Sequence, residues 1–141
     1  MKNTEAAFAM EGSEFFKRIA NENFKKWNEV LVTKDPKKVA SLYADDVSFL
    51  PTLSEKFIND LQGTEGYFEH FLSKDPYGKI IGETVQPLSD TSYCHSGLYN
   101  FEVGPKHDRA IVEARFTYIW KQEEPGAWKI IHHHSSLKPK K

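Results

Sequence analysis

Three consecutive histidines, His132, His133 and His134, are the residues whose type and spacing could most directly do chemistry. They lie in a stretch that predicts a β-strand, where successive side chains point to opposite faces. His132 and His134 should therefore share one face, with His133 on the other. Two imidazoles could hold part of a metal site, but a closed zinc site needs about four ligands, and Cys94 with His95 would be a weak supplement. We expect no metal.

His133 should face the helix-covered side of its strand together with Ile131, where aromatic side chains are expected to gather. The predicted ligand pocket consists of rings and hydroxyls, namely Trp27, Tyr43, Tyr99, Phe116, Tyr118, His133 and Ser135. A histidine among tyrosines in an apolar cavity suits proton transfer on a small ring or carbonyl compound, because burial shifts pKa values. His133 and Tyr118 are therefore the candidate catalytic pair of a small cofactor-independent enzyme. The alternative is a hydrogen-bonded core histidine among rings that only fill the interior.

Two further groups of residues could in principle contribute to chemistry. Asp45 and Asp46 are expected to end a short helix and could supply a base at the pocket mouth, although paired acids there more often form turns. Gly63, Gly66 and Gly78 match no phosphate-binding pattern, so we expect no nucleotide chemistry.

Composition narrows the class of protein. A length of 141 residues suits one domain, and the net charge of -1 argues against nucleic acid or an anionic membrane as partner. The single cysteine cannot form an internal disulfide, which fits a reducing compartment, and the chain shows neither a signal peptide nor a membrane span. We expect a cytoplasmic, unprocessed protein without a cofactor. Aromatic residues make up 13% of the chain, which favours an interior built from rings.

The elements that must position these groups begin with helices. Residues 1–12 lack periodicity and predict a flexible arm, and residues 13–139 predict a single domain. From Ser13, a plausible N-cap, apolar residues recur every three or four positions to about Thr33 and predict a long helix. Asp35 followed by Pro36 predicts the start of a second, short helix.

Strands dominate the rest of the chain. Residues 47–50 predict a short strand, residues 54–61 a further helical turn or two, and Thr64 the cap of a third helix. Beyond Gly78, hairpin-like turns separate four predicted strands, at about residues 79–86, 93–103, 110–121 and 127–137. Helices followed by an antiparallel meander are typical of an α+β domain in which one sheet face packs on the helices.

The two faces of the third long strand differ. Phe116, Tyr118 and Trp120 share the face predicted to meet the helices. The opposite face mixes apolar with charged residues, as many subunit contacts do, and therefore predicts a dimer. The predicted interface comprises Glu113, Arg115, Thr117, His132 and His134, where the histidines could respond to pH.

The order of these elements and several segments carry a resemblance to a known family. The segments are LYADD, LPT, YFEHFLSKDP, GLYNF and, as the most specific pair, ARFTYIW and WKIIHHHSS. Over residues 13–139 the chain resembles the association (hub) domain of calcium/calmodulin-dependent protein kinase II and its stand-alone bacterial relatives. These belong to the SnoaL-like, nuclear-transport-factor-like superfamily.

This resemblance implies a cystatin-like fold, in which a curved antiparallel sheet wraps round the long helix and encloses a cone-shaped pocket. It also implies self-association as a homodimer through the sheet, or as a ring of dimers, and a small-molecule ligand. Relatives in the superfamily include isomerases, dehydratases and cyclases. Tyr99, Tyr118 and Ser135 stand where the kinase hub carries pocket arginines, so a pocket tuned to small carboxylates is not expected. We expect neither a kinase domain nor a calmodulin-binding segment within these residues.

Overall fold

A computed structural model of the chain describes residues 2–140, with side chains from residue 13 onward. The elements in chain order are α1 (Lys2–Val32), α2 (Pro36–Ala40), β1 (Tyr43–Leu50), α3 (Leu61–Phe71), a short 3-10 turn (Leu72–Lys74), β2 (Tyr77–Ser89), β3 (Ser92–Val103), β4 (Ala110–Glu124) and β5 (Ala127–Leu137). The architecture is α+β, as predicted.

Helix α1 is longer than the sequence pattern predicted. It spans Lys2–Val32, so Ser13 lies within the helix instead of capping it. The arm predicted over residues 1–12 falls outside the side chains that the structure describes. One face of α1 carries the buried residues Phe16, Ala20, Phe24, Trp27 and Leu31. Among the described residues, no helix is long and apolar enough to cross a membrane.

The five strands form one curved sheet in the order β1-β5-β4-β3-β2. The three hairpins from β2 to β5 are antiparallel, as predicted. Strand β1, however, pairs parallel to β5, so the sheet is mixed and the prediction of a purely antiparallel sheet was wrong in this respect. β1 and β5 are distant in sequence, and no hairpin turn constrains their direction.

Strand β5 contains a bulge that the alternation pattern could not reveal. Ile119 pairs with His132, whereas the next residue, Trp120, pairs with Ile130, which leaves Ile131 as the extra residue. A bulge moves the residues on its two sides to different phases of the pleat. Consequently Ile130, and not Ile131, joins His133 in the buried layer.

Three local predictions for the N-terminal half were wrong. The N-cap of α3 is Asp60, whose carboxylate accepts a hydrogen bond from the Gly63 N–H at 2.7 Å, and Thr64 lies buried in the first turns. The helical turns predicted over residues 54–61 are absent from residues 54–60, because the backbone of Ile58 pairs with Phe49 at the edge of β1 through hydrogen bonds of 2.8 and 2.9 Å; only Leu61 is helical, as the first residue of α3. Asp45 and Asp46 do not end α2.

Those two acids lie instead within β1, where both are exposed. They do not border the cavity described below. The cap of α2 was predicted correctly, since the Asp35 carboxylate accepts a hydrogen bond from the Lys37 N–H at 3.0 Å and Pro36 opens the helix.

Candidate functional site: an aromatic cavity beside His133

A cavity lies between α1, α3 and the inner face of the sheet. Its volume is about 50 Å³. Its walls are mainly aromatic and aliphatic, and the lining residues are Trp27, Phe49, Thr52, Leu53, Tyr67, Phe68, Phe71, Lys74, Tyr99, Phe101, Val103, Val112, His133 and Ser135. A space that holds one water needs about 10–15 Å³, and a cavity that binds benzene measures about 150 Å³. As it stands, this cavity suits a molecule smaller than benzene.

The structure divides the predicted pocket into two sets. Trp27, Tyr99, His133 and Ser135 border the cavity. Tyr43, Phe116 and Tyr118 are equally buried but lie outside its lining. The second set therefore supports the cavity wall from behind.

His133 is held on every side. Its ring stacks between Tyr118, at a centroid distance of 4.1 Å, and Phe49, at 4.9 Å. Nδ1 lies 2.9 Å from the Tyr43 hydroxyl, and Nε2 lies 3.3 Å from the Tyr99 hydroxyl. Burial, with smaller contributions from His132 and His134, lowers the pKa of His133 well below the ordinary 6.5. The imidazole is therefore neutral near pH 7.

Hydrogen bonds extend from His133 in both directions. The Trp27 indole donates to the Tyr43 hydroxyl at 3.1 Å. On the other side, the Tyr99 hydroxyl donates to Ser135, and Ser135 is in turn bonded to Thr52. Six side chains thus form a continuous polar chain through an otherwise apolar interior.

The tyrosines of this region remain protonated. Burial raises the pKa of Tyr99 above its ordinary value, and hydrogen bonding to Ser135 offsets this only in part. Burial likewise raises the pKa of Tyr43 and of Tyr118. The Tyr118 hydroxyl is buried without a hydrogen-bond partner among the described residues. The site therefore carries hydroxyl groups and a neutral imidazole, without a buried charge among them.

The sequence analysis missed Thr52 and the rings of Phe49, Tyr67 and Phe68. Thr52 follows Pro51, where the strand pattern ends, so nothing in the pattern indicated that its hydroxyl turns inward to Ser135. Its carbonyl also accepts a hydrogen bond from Tyr67 at 3.0 Å. The available signal was the helical spacing of Tyr67 and Phe68 with Phe71, which gives α3 an aromatic face.

One lip of the cavity is strained. Leu53 is 61% exposed and lines the cavity where it meets solvent. Its φ of 65° lies in the left-handed region, which costs a side chain with a Cβ about 1 kcal/mol. A residue held in this way at a cavity lip is consistent with a functional role for the opening.

The predicted interface residues lie together on the opposite face of the sheet. Glu113, Arg115 and Thr117 alternate along β4 with the buried residues, and Thr117 pairs with His134. His132 pairs with Ile119, and its Nδ1 lies 2.7 Å from the Ser48 hydroxyl. Burial and the neighbouring His134 lower the pKa of His132, partly offset by a hydrogen bond with Ser48.

The histidine run does not assemble with the other candidate metal ligands. Within the described residues, no three His, Cys, Asp or Glu side chains come together as a metal site. His95 points into the interior, where neither ring nitrogen has a hydrogen-bond partner from the described side chains and Nε2 lies 3.5 Å from a Glu83 carboxylate oxygen. Burial lowers the pKa of His95, and Glu83 opposes that shift.

A long helix on a curved sheet, with a cavity beside the helix, is the cystatin-like fold of NTF2-like proteins. A solved structure described by those terms, from Novosphingobium aromaticivorans, matches with a TM-score of 0.71 at 8% identity, covering 100% of this chain and 92% of its own. A second protein from that organism, whose name assigns it as a scytalone dehydratase, matches with a TM-score of 0.77 at 10% identity, covering 92% and 89%. At these identities the likeness concerns the fold alone.

The family follows from the sequence. Residues 17–139 match the model of the calcium/calmodulin dependent protein kinase II association domain. A Xanthomonas campestris protein whose name assigns it to the same domain is 40% identical, with a TM-score of 0.83, over 88% of this chain and 89% of that one. This chain belongs to the calcium/calmodulin dependent protein kinase II association domain family. Among curated proteins, none matches the sequence.

Proposed function

We propose that this protein is a self-associating domain that pairs with a second copy through the outer face of its sheet. The observation that carries the proposal is the composition of that face. Arg115, Glu113 and His134 are exposed there, while Thr117 and Ile119 are half-buried by their own strand neighbours. Such a mixture of apolar, charged and hydrogen-bonding groups is typical of subunit contacts.

The face is also suited to pairing with itself. A two-fold contact places the same patch on both partners, so that patch must be complementary to itself. Arg115 and Glu113 lie two residues apart on one face of β4 and supply both signs of charge. Membership of an association-domain family supports the same proposal.

Light scattering of an Arg115→Glu variant tests it. The substitution leaves two acids, at 113 and 115, on both copies, and close like charges across a contact cost several kcal/mol. We expect the molar mass to fall to that of a smaller species. Arg18→Glu makes the same chemical change on the exposed side of α1 and should leave the mass unchanged. If Arg115→Glu keeps the parent mass, the outer face is not the contact.

We further propose that the cavity beside His133 binds a small molecule. The proposal is supported by a polar hydrogen-bond chain that reaches an apolar space of about 50 Å³. A mostly apolar pocket with a small number of polar groups directed into it is typical of ligand sites.

The alternative, an enzyme that uses His133 and Tyr118 as acid and base, has weaker support. The dehydratase named among the structural neighbours has this fold. However, both nitrogens of His133 are engaged with tyrosines, and Tyr118 lies outside the cavity lining. A catalytic group must reach the reacting atom within hydrogen-bond distance.

A further inference from the structure

We infer that the polar chain around His133 runs in one direction, from Trp27 to Thr52, and presents a hydroxyl donor to a small, neutral ligand that accepts a hydrogen bond. The inference deepens the proposed cavity function by naming its ligand class. It also assigns the proton of His133 to Nε2.

The Trp27 end sets the direction. An indole N–H can only donate, so the oxygen of Tyr43 accepts from Trp27. The hydrogen of the Tyr43 hydroxyl is then free for its other neighbour, Nδ1 of His133 at 2.9 Å. Nδ1 accepts that hydrogen, and because the imidazole is neutral its own proton resides on Nε2.

The other end of the chain gives the same direction independently. The Tyr99 hydroxyl donates to the Ser135 oxygen. Tyr99 has only one hydrogen, so toward Nε2 of His133, at 3.3 Å, it must act as the acceptor. Nε2 therefore carries the proton, in agreement with the argument from Trp27.

The chain ends at Thr52. Ser135 has accepted from Tyr99, and in its bond with Thr52 either hydroxyl can donate; we assign Ser135 as the donor, which continues the direction set by Trp27 and Tyr99. Within the described part of the chain, the Thr52 hydroxyl has no further acceptor for its own hydrogen. Thr52 lines the cavity and is 8% exposed. A buried donor without a partner is costly, so an acceptor atom of a ligand or a water is favoured beside it.

The charge and the size of the cavity restrict that ligand. Its polar walls are neutral, because His133 is uncharged and Tyr99 is protonated. An anion would lose its hydration without a buried cation to compensate. Lys74 also lines the cavity, but it is half-buried, and a lysine stem can pack on apolar surface while its ammonium remains in water. A compact neutral carbonyl compound meets these requirements.

The tautomer is tested on the unmodified full chain. Nitrogen NMR of the histidine rings at neutral pH separates a protonated from an unprotonated ring nitrogen. We expect His133 to show a bare Nδ1 and a protonated Nε2. A proton on Nδ1, or on both nitrogens, would contradict the inferred direction of the hydrogen bonds from Trp27 to Thr52.

The ligand class is tested with two probes of similar size, acetone and acetate. Binding is measured from the NMR chemical shifts of cavity residues during titration with each probe. We expect acetone to bind more tightly than acetate. Thr52→Val keeps the shape of the side chain and removes the donor, which should weaken acetone binding about fivefold, the value of one neutral hydrogen bond. Thr91→Val is the control, since Thr91 is exposed in the turn between β2 and β3.

Tighter binding of acetate would indicate that Lys74 governs the site and would overturn the inference. No binding of acetone, or equal binding by the Thr52→Val variant, would also overturn it. Light scattering of the same samples reports self-association separately. Failure of the ligand inference is therefore distinguishable from failure of the proposed sheet contact.

Discussion

Burial of the neutral His133 should make the stability of this protein depend on pH in a predictable direction. In the folded chain its pKa lies well below 6.5, whereas in the unfolded chain the imidazole is free to take up a proton. The unfolded state therefore binds more protons between the two pKa values. The contribution of His133 to the free energy of unfolding is fully present above about pH 6.5 and is lost as the pH falls.

The magnitude follows from one proton. With an unfolded pKa of about 6.5 and a much lower native pKa, a change from about pH 7 to about pH 5.5 reduces the free energy of unfolding by about 1.3 kcal/mol. The assay is urea unfolding at both pH values and one fixed protein concentration, because self-association also stabilises the native state.

The effect of His133 is isolated by comparing how much unfolding free energy the parent and two histidine variants lose between the two pH values. His133→Gln removes the titrating group, so its loss of stability between the two pH values should be smaller than the parent's by about 1.3 kcal/mol. His70→Gln, at an exposed site on α3, should retain the full loss. The reasoning is refuted if His133→Gln retains it too. Should that variant not fold, NMR titration of the parent decides, because His133 protonating near pH 6.5 in the native state contradicts the prediction.

Two further predictions concern the contacts that hold α1 and the sheet in place. Asn28→Ala removes two buried hydrogen bonds with the backbone of Gly78, of 2.6 and 2.9 Å, and should lower the free energy of unfolding in urea by about 2–3 kcal/mol. Asn21→Ala, on the exposed side of α1, is the control and should lower it little. Equal losses in the two variants would show that the Asn28 hydrogen bonds do not stabilise the fold. Gly97→Ala would place a Cβ against the carbonyl oxygen of Gly82 on the paired strand β2 and should destabilise the protein by about 3 kcal/mol. A melting temperature equal to the parent's would contradict this, because it would show that β2 and β3 can move apart at Gly97 without cost.

The sequence alone predicted the fold class and most of the sheet. The four long strands and their turns were recognisable because polar and apolar residues alternate with the period of the pleat, and hairpins join neighbours in sequence. The same alternation correctly placed Phe116 and Tyr118 in the interior, where their exposed fractions are 3% and 1%. It also correctly placed Arg115 on the outside, where it is exposed. His133 could be assigned to the inner face on this basis.

Only the tertiary structure decided what surrounds His133. The parallel pairing of β1 with β5, which brings Phe49 beside His133, joins strands that are far apart in the chain, and no local pattern specifies it. The bulge at Ile131 changes the phase of the strand without a sequence mark. Thr52 reaches Ser135 only because the chain turns inward after β1. Periodicity thus determined which face each side chain occupies, whereas long-range packing determined which side chains meet.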